Sequence, residues 1–353
     1  MRALKTILII LGALLALFVI LGLIASKDYR YERSISIAAS PDVVYSHVNS
    51  LAAMDKWSPW NDYDPNMQKS IEGEDGQVGA VAKWEGNSDV GKGEQRIDSL
   101  VENQLMKTKL KFLEPWEQES IGRVELAESG DGTNVTWSIS GENNFVGRVF
   151  GMFMDMDAMI GKDFEKGLQR LDSMVGVTVA QRQAEREALL ARFQITVTDR
   201  SSTTYAGVRE TVKWADLKAF FGKAFGATGA ALGAAHVKPA GMPTAVFFKW
   251  DEVNMEADLL AGMPIPVASK AKVSGVITYE TPASKAYTVA YLGGYSGMEP
   301  AHQALAMTLE ADGMELNGNV LEEYVTDPGS EPDSLKWQTN ITWLAKPKAT
   351  ANQ

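Results

Sequence analysis

An unbroken apolar run at residues 7–25 opens the hydrophobic pattern of this chain. The run is about long enough to cross a hydrocarbon core ~30 Å thick. Arg2 and Lys5 precede it, so the positive-inside bias places the N-terminus in the cytoplasm and the residues after Lys27 outside. The alternative is a cleaved signal peptide, but the run is longer than a typical h-region and residues 23–26 form a poor cleavage site. We therefore predict an uncleaved, single-pass transmembrane anchor over residues 1–27, placing the protein in the cell membrane.

Residues 28–175 show a strand pattern followed by a helical one. Residues 29–38 alternate polar and apolar side chains, as in a half-buried strand, and Ser40, Pro41 and Asp42 mark the start of a short helix. Glycine-containing turns separate most of the strand-like segments that follow, which are 80–84, 93–100, 104–112, 117–128 and 133–140. From 149 to 174 the apolar period is helical. The pattern predicts a helix-grip domain, in which a long helix lies across the concave face of a curved antiparallel sheet.

Six short motifs occur in order along this domain. They are SPDVVY at 40–45, WSPW at 57–60, WEG at 84–86, VGKG at 90–93, GTNVTW at 132–137 and IGKDFEKGL at 160–168. The series resembles the SRPBCC superfamily, in its polyketide cyclase/dehydrase and lipid-transport branch of the START/Bet v 1-like fold. The resemblance implies a deep apolar cavity between the sheet and the long helix. The residues expected to line this cavity are Trp60, Trp84, Trp137, Phe153 and Met156.

Residues 193–346 contain a β-α-β-β pattern written twice. The first copy starts at 205–209, continues into an apolar-periodic run around Trp214 and Phe220, and ends in two strand-like segments, 244–250 and 255–265. The second copy has the corresponding segments at 287–291, 301–309, 320–325 and 335–344. A duplicated unit of this kind places its copies about a pseudo-twofold axis, with a concave seam between them. The polar residues 176–192 are predicted to form a linker helix, and residues 347–353 a tail.

Three motifs in the second copy carry another resemblance: YLGGY at 291–295, EEYVTDP at 322–328 and TNI at 339–341. They resemble GyrI-like proteins and the effector-binding domains attached to multidrug-sensing and AraC-type transcription activators. The fold class predicted for the whole chain is therefore α+β: a transmembrane helix, a helix-grip domain and a duplicated GyrI-like domain. Since no helix-turn-helix precedes the second domain, the resemblance implies a ligand-binding module without the transcription-factor role.

Glu322 is the main candidate for ligand contact. In the GyrI-like family, the glutamate two positions before the tyrosine lies at the floor of an aromatic-lined pocket and pairs with lipophilic cations. An ionised carboxylate in a low-dielectric cleft is costly unless a cation compensates it, which makes such a site selective for cations. On an alternating strand Glu322 and Tyr324 share a face, and Glu323 points away. The alternative interpretation is a solvated strand residue.

Aromatic side chains are the second component of such a pocket, because their faces attract cations. Trp250 is placed in the first copy as Tyr324 is in the second, so both are expected to face the seam. The remaining candidates are Tyr205, Phe248, Tyr295 and Trp337. For any one of these residues, ordinary core packing is the alternative.

The composition excludes several classes of function. The net charge of −11 and the lack of a clustered basic segment argue against a nucleic-acid partner. The chain has no cysteine, which removes disulfides and thiolate chemistry, and His47, His236 and His302 are too dispersed for a metal site. Residues 86–93 resemble the P-loop sequence pattern, but Gly93 stands where that pattern requires serine or threonine. A hairpin is therefore predicted. We expect no metal and no cofactor.

Together these features predict a membrane-anchored protein that binds small hydrophobic or amphipathic, including cationic, molecules. The first alternative is a hydrolase of reactive electrophiles, since some GyrI-like proteins open strained rings. Glu322 would then be the base and Tyr295 the proton donor. A polyketide cyclase/dehydrase-like enzyme is the second alternative, and an interaction protein without a working pocket is the third. The sequence does not identify a protein partner.

Overall fold

The protein is described by a computed structural model that covers residues 2–326 and 328–348. The chain divides into two compact units, Met1–Ala184 and Glu185–Gln353. Each unit contains one antiparallel sheet, and the first begins with an apolar helix, so the predicted α+β class is confirmed.

The first unit begins with helix α1 (Arg2–Ile24). By length and composition, α1 is apolar enough to cross a membrane. The elements that follow are β1 (Asp28–Ile37), α2 (Pro41–Tyr45), α3 (Leu51–Trp57), β2 (Gln68–Glu72), β3 (Val81–Glu85), β4 (Lys92–Val101), β5 (Leu105–Glu114), β6 (Gln118–Ser129), β7 (Gly132–Glu142), α4 (Phe145–Gly151) and α5 (Met156–Ala191). The seven strands form one sheet in the order β1-β7-β6-β5-β4-β3-β2. This is the predicted meander, with β2 as an additional edge strand.

Helix α5 packs on the sheet through one stripe of apolar residues. Phe164, Leu168, Leu171 and Val175 recur at helical spacing and are all buried in the core of this unit. Gly167 lies between them, where an added Cβ would come 2.7 Å from the ring of Trp137. The glycine therefore lets the helix backbone approach the tryptophan ring closely.

Two predicted helix boundaries differ in the structure. The single helix predicted from 149 to 174 is instead two helices, α4 and α5, separated by a turn that begins after Gly151. Residues 176–192 do not form a separate linker helix, because α5 runs without a break for 36 residues to Ala191. The apolar stripe ends near Val175, so the second half of α5 has a polar surface but keeps helical backbone geometry.

The second unit contains the duplicated pattern, with one more strand per copy than predicted. The first copy consists of β8 (Ile195–Arg200), β9 (Thr203–Lys213), α6 (Leu217–Ala234), β10 (Thr244–Asp251) and β11 (Glu256–Ile265). The second consists of β12 (Ile277–Thr281), β13 (Ser284–Leu292), α7 (Glu299–Ala311), β14 (Met314–Tyr324) and β15 (Gln338–Pro347). All eight strands form one antiparallel sheet in the order β12-β9-β11-β10-β14-β15-β13-β8.

The strand order is symmetric about the central pair formed by β10 and β14. The other strands of the first copy lie on the β10 side of this pair and those of the second copy on the β14 side, except at the two edges of the sheet. There the edge strand comes from the other copy. The first strand of each copy pairs with the other copy, because β8 pairs with β13 and β12 pairs with β9. This arrangement is the expected pseudo-twofold, and the exchanged edge strands link the copies.

The two faces of this sheet carry different cores. Helices α6 and α7 cover one face, where buried residues such as Phe220, Ala224, Ala301 and Leu305 pack on the strands. The opposite face carries a separate cluster that includes Tyr205, Val246, Leu260, Leu321 and Leu344. Since strand residues alternate between faces, the position of each predicted site residue depends on which core its side chain joins.

Candidate ligand-binding site

Glu322 lies on the central strand β14, on the face that the helices cover. Its neighbours across the strands are Ala245 on β10 and Ile341 on β15, both fully buried. The small side chain of Ala245 leaves room for the carboxylate beside it. Glu322 itself is only 7% exposed. The structure therefore makes it a buried acid rather than the solvated strand residue of the alternative interpretation.

Both carboxylate oxygens of Glu322 meet polar side chains. The Tyr324 hydroxyl donates a hydrogen bond of 3.0 Å to Oε2. On the other side, Nε2 of His302 on α7 lies 3.4 Å from Oε1. Trp343 on β15 in turn donates its indole N–H to Nδ1 of His302 at 3.1 Å. An indole nitrogen is a donor only, so Nδ1 is the acceptor and the imidazole carries its proton on Nε2, the nitrogen that lies nearer to Glu322.

The charge of Glu322 is not balanced by a cationic side chain. A histidine whose Nδ1 accepts a hydrogen bond is in its neutral form, and the tyrosine is neutral as well. Among the lysine and arginine side chains that the structure describes, none forms an ion pair with Glu322. A buried carboxylate with only neutral donors retains an unfavourable desolvation cost, which a cationic ligand would reduce.

Aromatic rings surround the hydroxyl end of this cluster. The ring of Tyr324 contacts Tyr295 at 5.5 Å between centroids, Phe221 at 5.6 Å and Phe225 at 5.9 Å. Trp337 extends the group through Tyr295, with ring centroids 5.1 Å apart. We call Phe221, Phe225, Tyr295, Tyr324 and Trp337 the aromatic cage. Tyr295 is 38% exposed, so the cage reaches the protein surface at this ring.

Local sequence explains how the cage is built. Phe221 and Phe225 are four residues apart on α6, and side chains at this spacing lie one above the other on a helix. Tyr295 follows Gly293, whose φ of +143° is in the region that favours glycine. An added Cβ at Gly293 would come 2.5 Å from the Tyr291 hydroxyl oxygen. The glycine therefore permits the close turn that brings Tyr295 back over Tyr324.

The Tyr324 hydroxyl is held in its protonated form. Burial, followed by the charge of Glu322, raises the pKa of Tyr324 well above its ordinary value. The hydroxyl consequently remains a hydrogen-bond donor to Glu322 through the neutral and moderately alkaline range. Directly across from it on β15, the fully buried hydroxyl of Thr339 has no hydrogen-bond partner among the described residues.

Three residues predicted for this site lie elsewhere: Phe248, Tyr205 and Trp250. Phe248 joins the core on the opposite face of the sheet, where its ring meets Tyr279 at 4.7 Å, and Tyr205 belongs to the same core. A bulge in β10 between Phe247 and Lys249 interrupts the simple alternation at this point.

Trp250 is also distant from Tyr324. Tyr324 is hydrogen-bonded to Pro243, and Trp250 lies seven residues further along the chain, a separation of about 20 Å in an extended strand. Its ring stacks on Trp214 at 4.8 Å and is half exposed. The expectation that Trp250 and Tyr324 share one seam was therefore wrong.

The aromatic residues predicted for the first unit are only partly brought together. Trp137 stacks on Phe164 with centroids 4.3 Å apart, and Trp60 meets Trp137 edge-on at 5.4 Å. Trp57, fully buried, completes this group. These rings pack together beneath α5 as part of the core of this unit.

The other predicted cavity residues do not join this group. Trp84 packs on Phe112 at 5.7 Å on β3 and β5, away from the core cluster of this unit. Phe153 is 74% exposed, because it lies in the turn between α4 and α5 rather than on the inner stripe of a continuous helix. Met156 is the first residue of α5 and is half-buried.

The sequence pattern assigned no role in the site to His302, Phe221 and Phe225. His302 was considered only as a metal ligand, and its partners Glu322 and Trp343 come from two other elements of the fold. The spacing of the two phenylalanines was the available signal, since it places both on one side of α6. Asp327, part of the predicted EEYVTDP motif, lies outside the described residues.

Comparison with known families gives a match for the first unit. Residues 29–176 match the family described as polyketide cyclase/dehydrase and lipid transport. This match confirms the family resemblance predicted for this part of the chain. None of the curated proteins compared with the chain matches it.

Several solved structures are similar to parts of the chain. The EcmrR C-terminal domain is 17% identical with a TM-score of 0.39, and the alignment covers 44% of this chain and 98% of that one. A major latex-like protein from Panax ginseng is 16% identical with a TM-score of 0.31, covering 42% and 98%. A hydrolase from Listeria innocua is 12% identical with a TM-score of 0.34, covering 43% and 92%.

Proposed function

We propose that this chain is a membrane-anchored protein that binds small hydrophobic or amphipathic molecules, with a site for lipophilic cations at Glu322. The observation that supports this most directly is the buried carboxylate of Glu322, which accepts a hydrogen bond from the neutral Tyr324 hydroxyl and has the His302 imidazole 3.4 Å away. The aromatic cage contacts this carboxylate through Tyr324. A lipophilic cation supplies what this arrangement lacks, because it brings a positive charge without a strongly bound hydration shell.

The aromatic cage supports the same ligand class. Ring faces attract cations by roughly 0.5–2 kcal/mol per ring, and the larger values apply when the cation is desolvated. Tyr295 and Trp337 stand at the exposed edge of the cage, and Tyr324 joins them to the carboxylate. A flat or quaternary cation would enter at Tyr295, displace the edge-on ring contacts and place its charge near Glu322.

The first unit has a separate role in this proposal. The family match at residues 29–176 supports binding of an apolar molecule in the helix-grip domain. We place this domain at residues 28–175, the cation-binding domain at 193–346 and the anchor at 1–27. In this proposal α1 crosses the cell membrane and both domains lie on the extracytoplasmic side.

Native mass spectrometry of the full chain in detergent micelles tests this function. The ligand panel pairs each lipophilic cation with a neutral molecule of the same shape, for example a quaternary ammonium compound and its tert-alkyl analogue. We expect the cations to be retained and their neutral partners to be lost. Equal retention of both members would contradict a charge-selective site. Retention of neither would contradict ligand binding altogether.

A second candidate function is hydrolysis of a reactive electrophile at the same site. The observation that favours it is the direct hydrogen bond between the Tyr324 hydroxyl and Glu322, since an acid and a tyrosine in contact can position and polarise a water molecule. In this second candidate function we give the tyrosine role to Tyr324, in place of the predicted Tyr295, because the Tyr324 hydroxyl is hydrogen-bonded directly to the carboxylate.

Replacing Tyr324 with phenylalanine separates these two functions. The ring and therefore the cage remain, but the hydroxyl that contacts Glu322 is lost. For a binding protein we expect cation affinity to change by less than about tenfold, since one neutral hydrogen bond contributes roughly 0.5–1.5 kcal/mol. For a hydrolase, turnover would fall much further than affinity. The measurement is isothermal titration alongside mass detection of a product that has gained one water molecule.

A further inference from the structure

A strongly apolar surface segment follows the sheet of the first unit. It comprises α4 and residues 152–154, and we call it the apolar shelf. Within it, Phe150 is 59% exposed and Phe153 74% exposed. Phe145, Val146, Met152 and Met154 are also exposed. Such a concentration of large apolar side chains on a surface marks a binding or membrane-contacting region rather than the scattered exposure that is normal for folded proteins.

The apolar shelf is in direct contact with helix α1. The ring of Phe145 lies edge-on to Phe18, with centroids 5.8 Å apart. A Cβ added to Gly22 would collide with the same ring, so glycine at this position lets α4 press against the α1 backbone. Whatever medium surrounds the last turns of α1 therefore also surrounds the start of the shelf.

The position of this contact along α1 gives the depth at which the apolar shelf would lie in the membrane. Phe18 lies six residues before Ile24, the last residue of α1. At 1.5 Å per residue, that is about 9 Å from the end of the apolar helix. Amphipathic segments that lie in a membrane surface bury their apolar face ~5–10 Å into the boundary between headgroups and acyl chains. The contact depth therefore agrees with that of an interfacial segment.

The distribution of charge agrees with the same environment. Residues 143–154 contain a single charged residue, Arg148, whose Nε donates to the backbone oxygen of Asn143. Charged groups stand on both sides of this stretch: the Lys27–Glu142 ion pair precedes it, and Asp155 follows it. An apolar segment bounded by charges suits a layer with a hydrocarbon interior and a hydrated edge.

We propose that the apolar shelf lies in the lipid headgroup and acyl-chain boundary beside α1, and that it holds the helix-grip unit against the bilayer surface. This inference rests on the proposed insertion of α1 into the membrane. The shelf leads directly into Met156, the start of α5, which covers the sheet. An amphipathic molecule dissolved in the bilayer would thus meet the helix-grip unit at the end of its long helix without crossing bulk water.

The lack of cysteine in the chain allows a direct test by spin labelling. Single cysteines would be placed in the full chain as Phe153→Cys and Phe150→Cys, labelled with a nitroxide and reconstituted into phosphatidylcholine vesicles. Two controls are Leu15→Cys in α1, where the side chain is 65% exposed, and Val78→Cys in the turn between β2 and β3, 64% exposed. Accessibility to oxygen, which concentrates in lipid, is compared with accessibility to a water-soluble nickel chelate.

We expect the oxygen-to-chelate ratio at 153 and 150 to be several-fold higher than at 78 and lower than at 15, because the shelf lies at a shallower depth in the bilayer than Leu15. A lipid-type ratio at 15 with water-type ratios at 153 and 150 would overturn the shelf but leave the anchor in place. A water-type ratio at 15 would overturn the anchor and the shelf together. Shielding of 153 from both reagents would show that protein, such as a second copy of the chain, covers the shelf, and would also overturn the proposal.

Discussion

Replacing Glu322 with glutamine is expected to weaken binding of a lipophilic cation by about tenfold or more, while the fold is retained. Glutamine keeps the shape of the side chain and can still accept a hydrogen bond from Tyr324. It removes the negative charge that the neutral side chains Tyr324 and His302 leave uncompensated. A tenfold change corresponds to ~1.4 kcal/mol, which is the scale of one charge contact made in a partly desolvated site.

The neighbouring residue supplies a matched control. Glu323 also lies on β14, but it faces the opposite side of the sheet and accepts a hydrogen bond from Asn340 at 2.9 Å. Glu323→Gln changes the net charge by the same amount, so any long-range electrostatic effect is shared by the two variants. Isothermal titration with a quaternary ammonium ligand should show a loss only for Glu322→Gln. Equal affinity in Glu322→Gln and the unaltered protein would contradict the assignment of Glu322 to the cation site.

Phe164→Ala is expected to destabilise the first unit by about 3–5 kcal/mol, the usual cost of truncating a buried phenylalanine. Phe164 is 1% exposed and stacks on Trp137 beneath α5. Its removal leaves a cavity lined by rigid indole rings, which cannot collapse easily into the space. The cation site should keep its affinity, because its residues belong to the other compact unit.

Denaturant unfolding in detergent, followed by tryptophan fluorescence, measures this effect. The first unit should unfold at a lower denaturant concentration in Phe164→Ala, and cation binding measured without denaturant should be unchanged. Phe153→Ala is the matched control, since it removes the same side chain from a position that is 74% exposed. Its effect should stay within about 0.5 kcal/mol, as for most surface substitutions. A similar loss of stability in both variants would contradict the assignment of Phe164 to the core.

The structure also changes the interpretation of the polar region after the first sheet. The loss of an apolar stripe beyond Val175 suggested a separate linker helix, but α5 continues to Ala191. Apolar periodicity indicates which face of a helix is buried, and it gives no signal where a helix has no buried face. Such a pattern therefore marks the end of packing against the sheet rather than the end of the helix.

Local periodicity in the sequence was sufficient to determine the apolar N-terminal helix, the antiparallel meander, the duplicated second domain and the shared face of Glu322 and Tyr324. Each of these depends on side-chain spacing within one element, which the backbone geometry of helices and strands sets directly. The order and register of strands depend on contacts between distant segments. For this reason only the tertiary structure placed His302 beside Glu322 and directed Phe248 and Tyr205 to the other core. It also stacked Trp250 on Trp214 and left Phe153 exposed in the turn between α4 and α5.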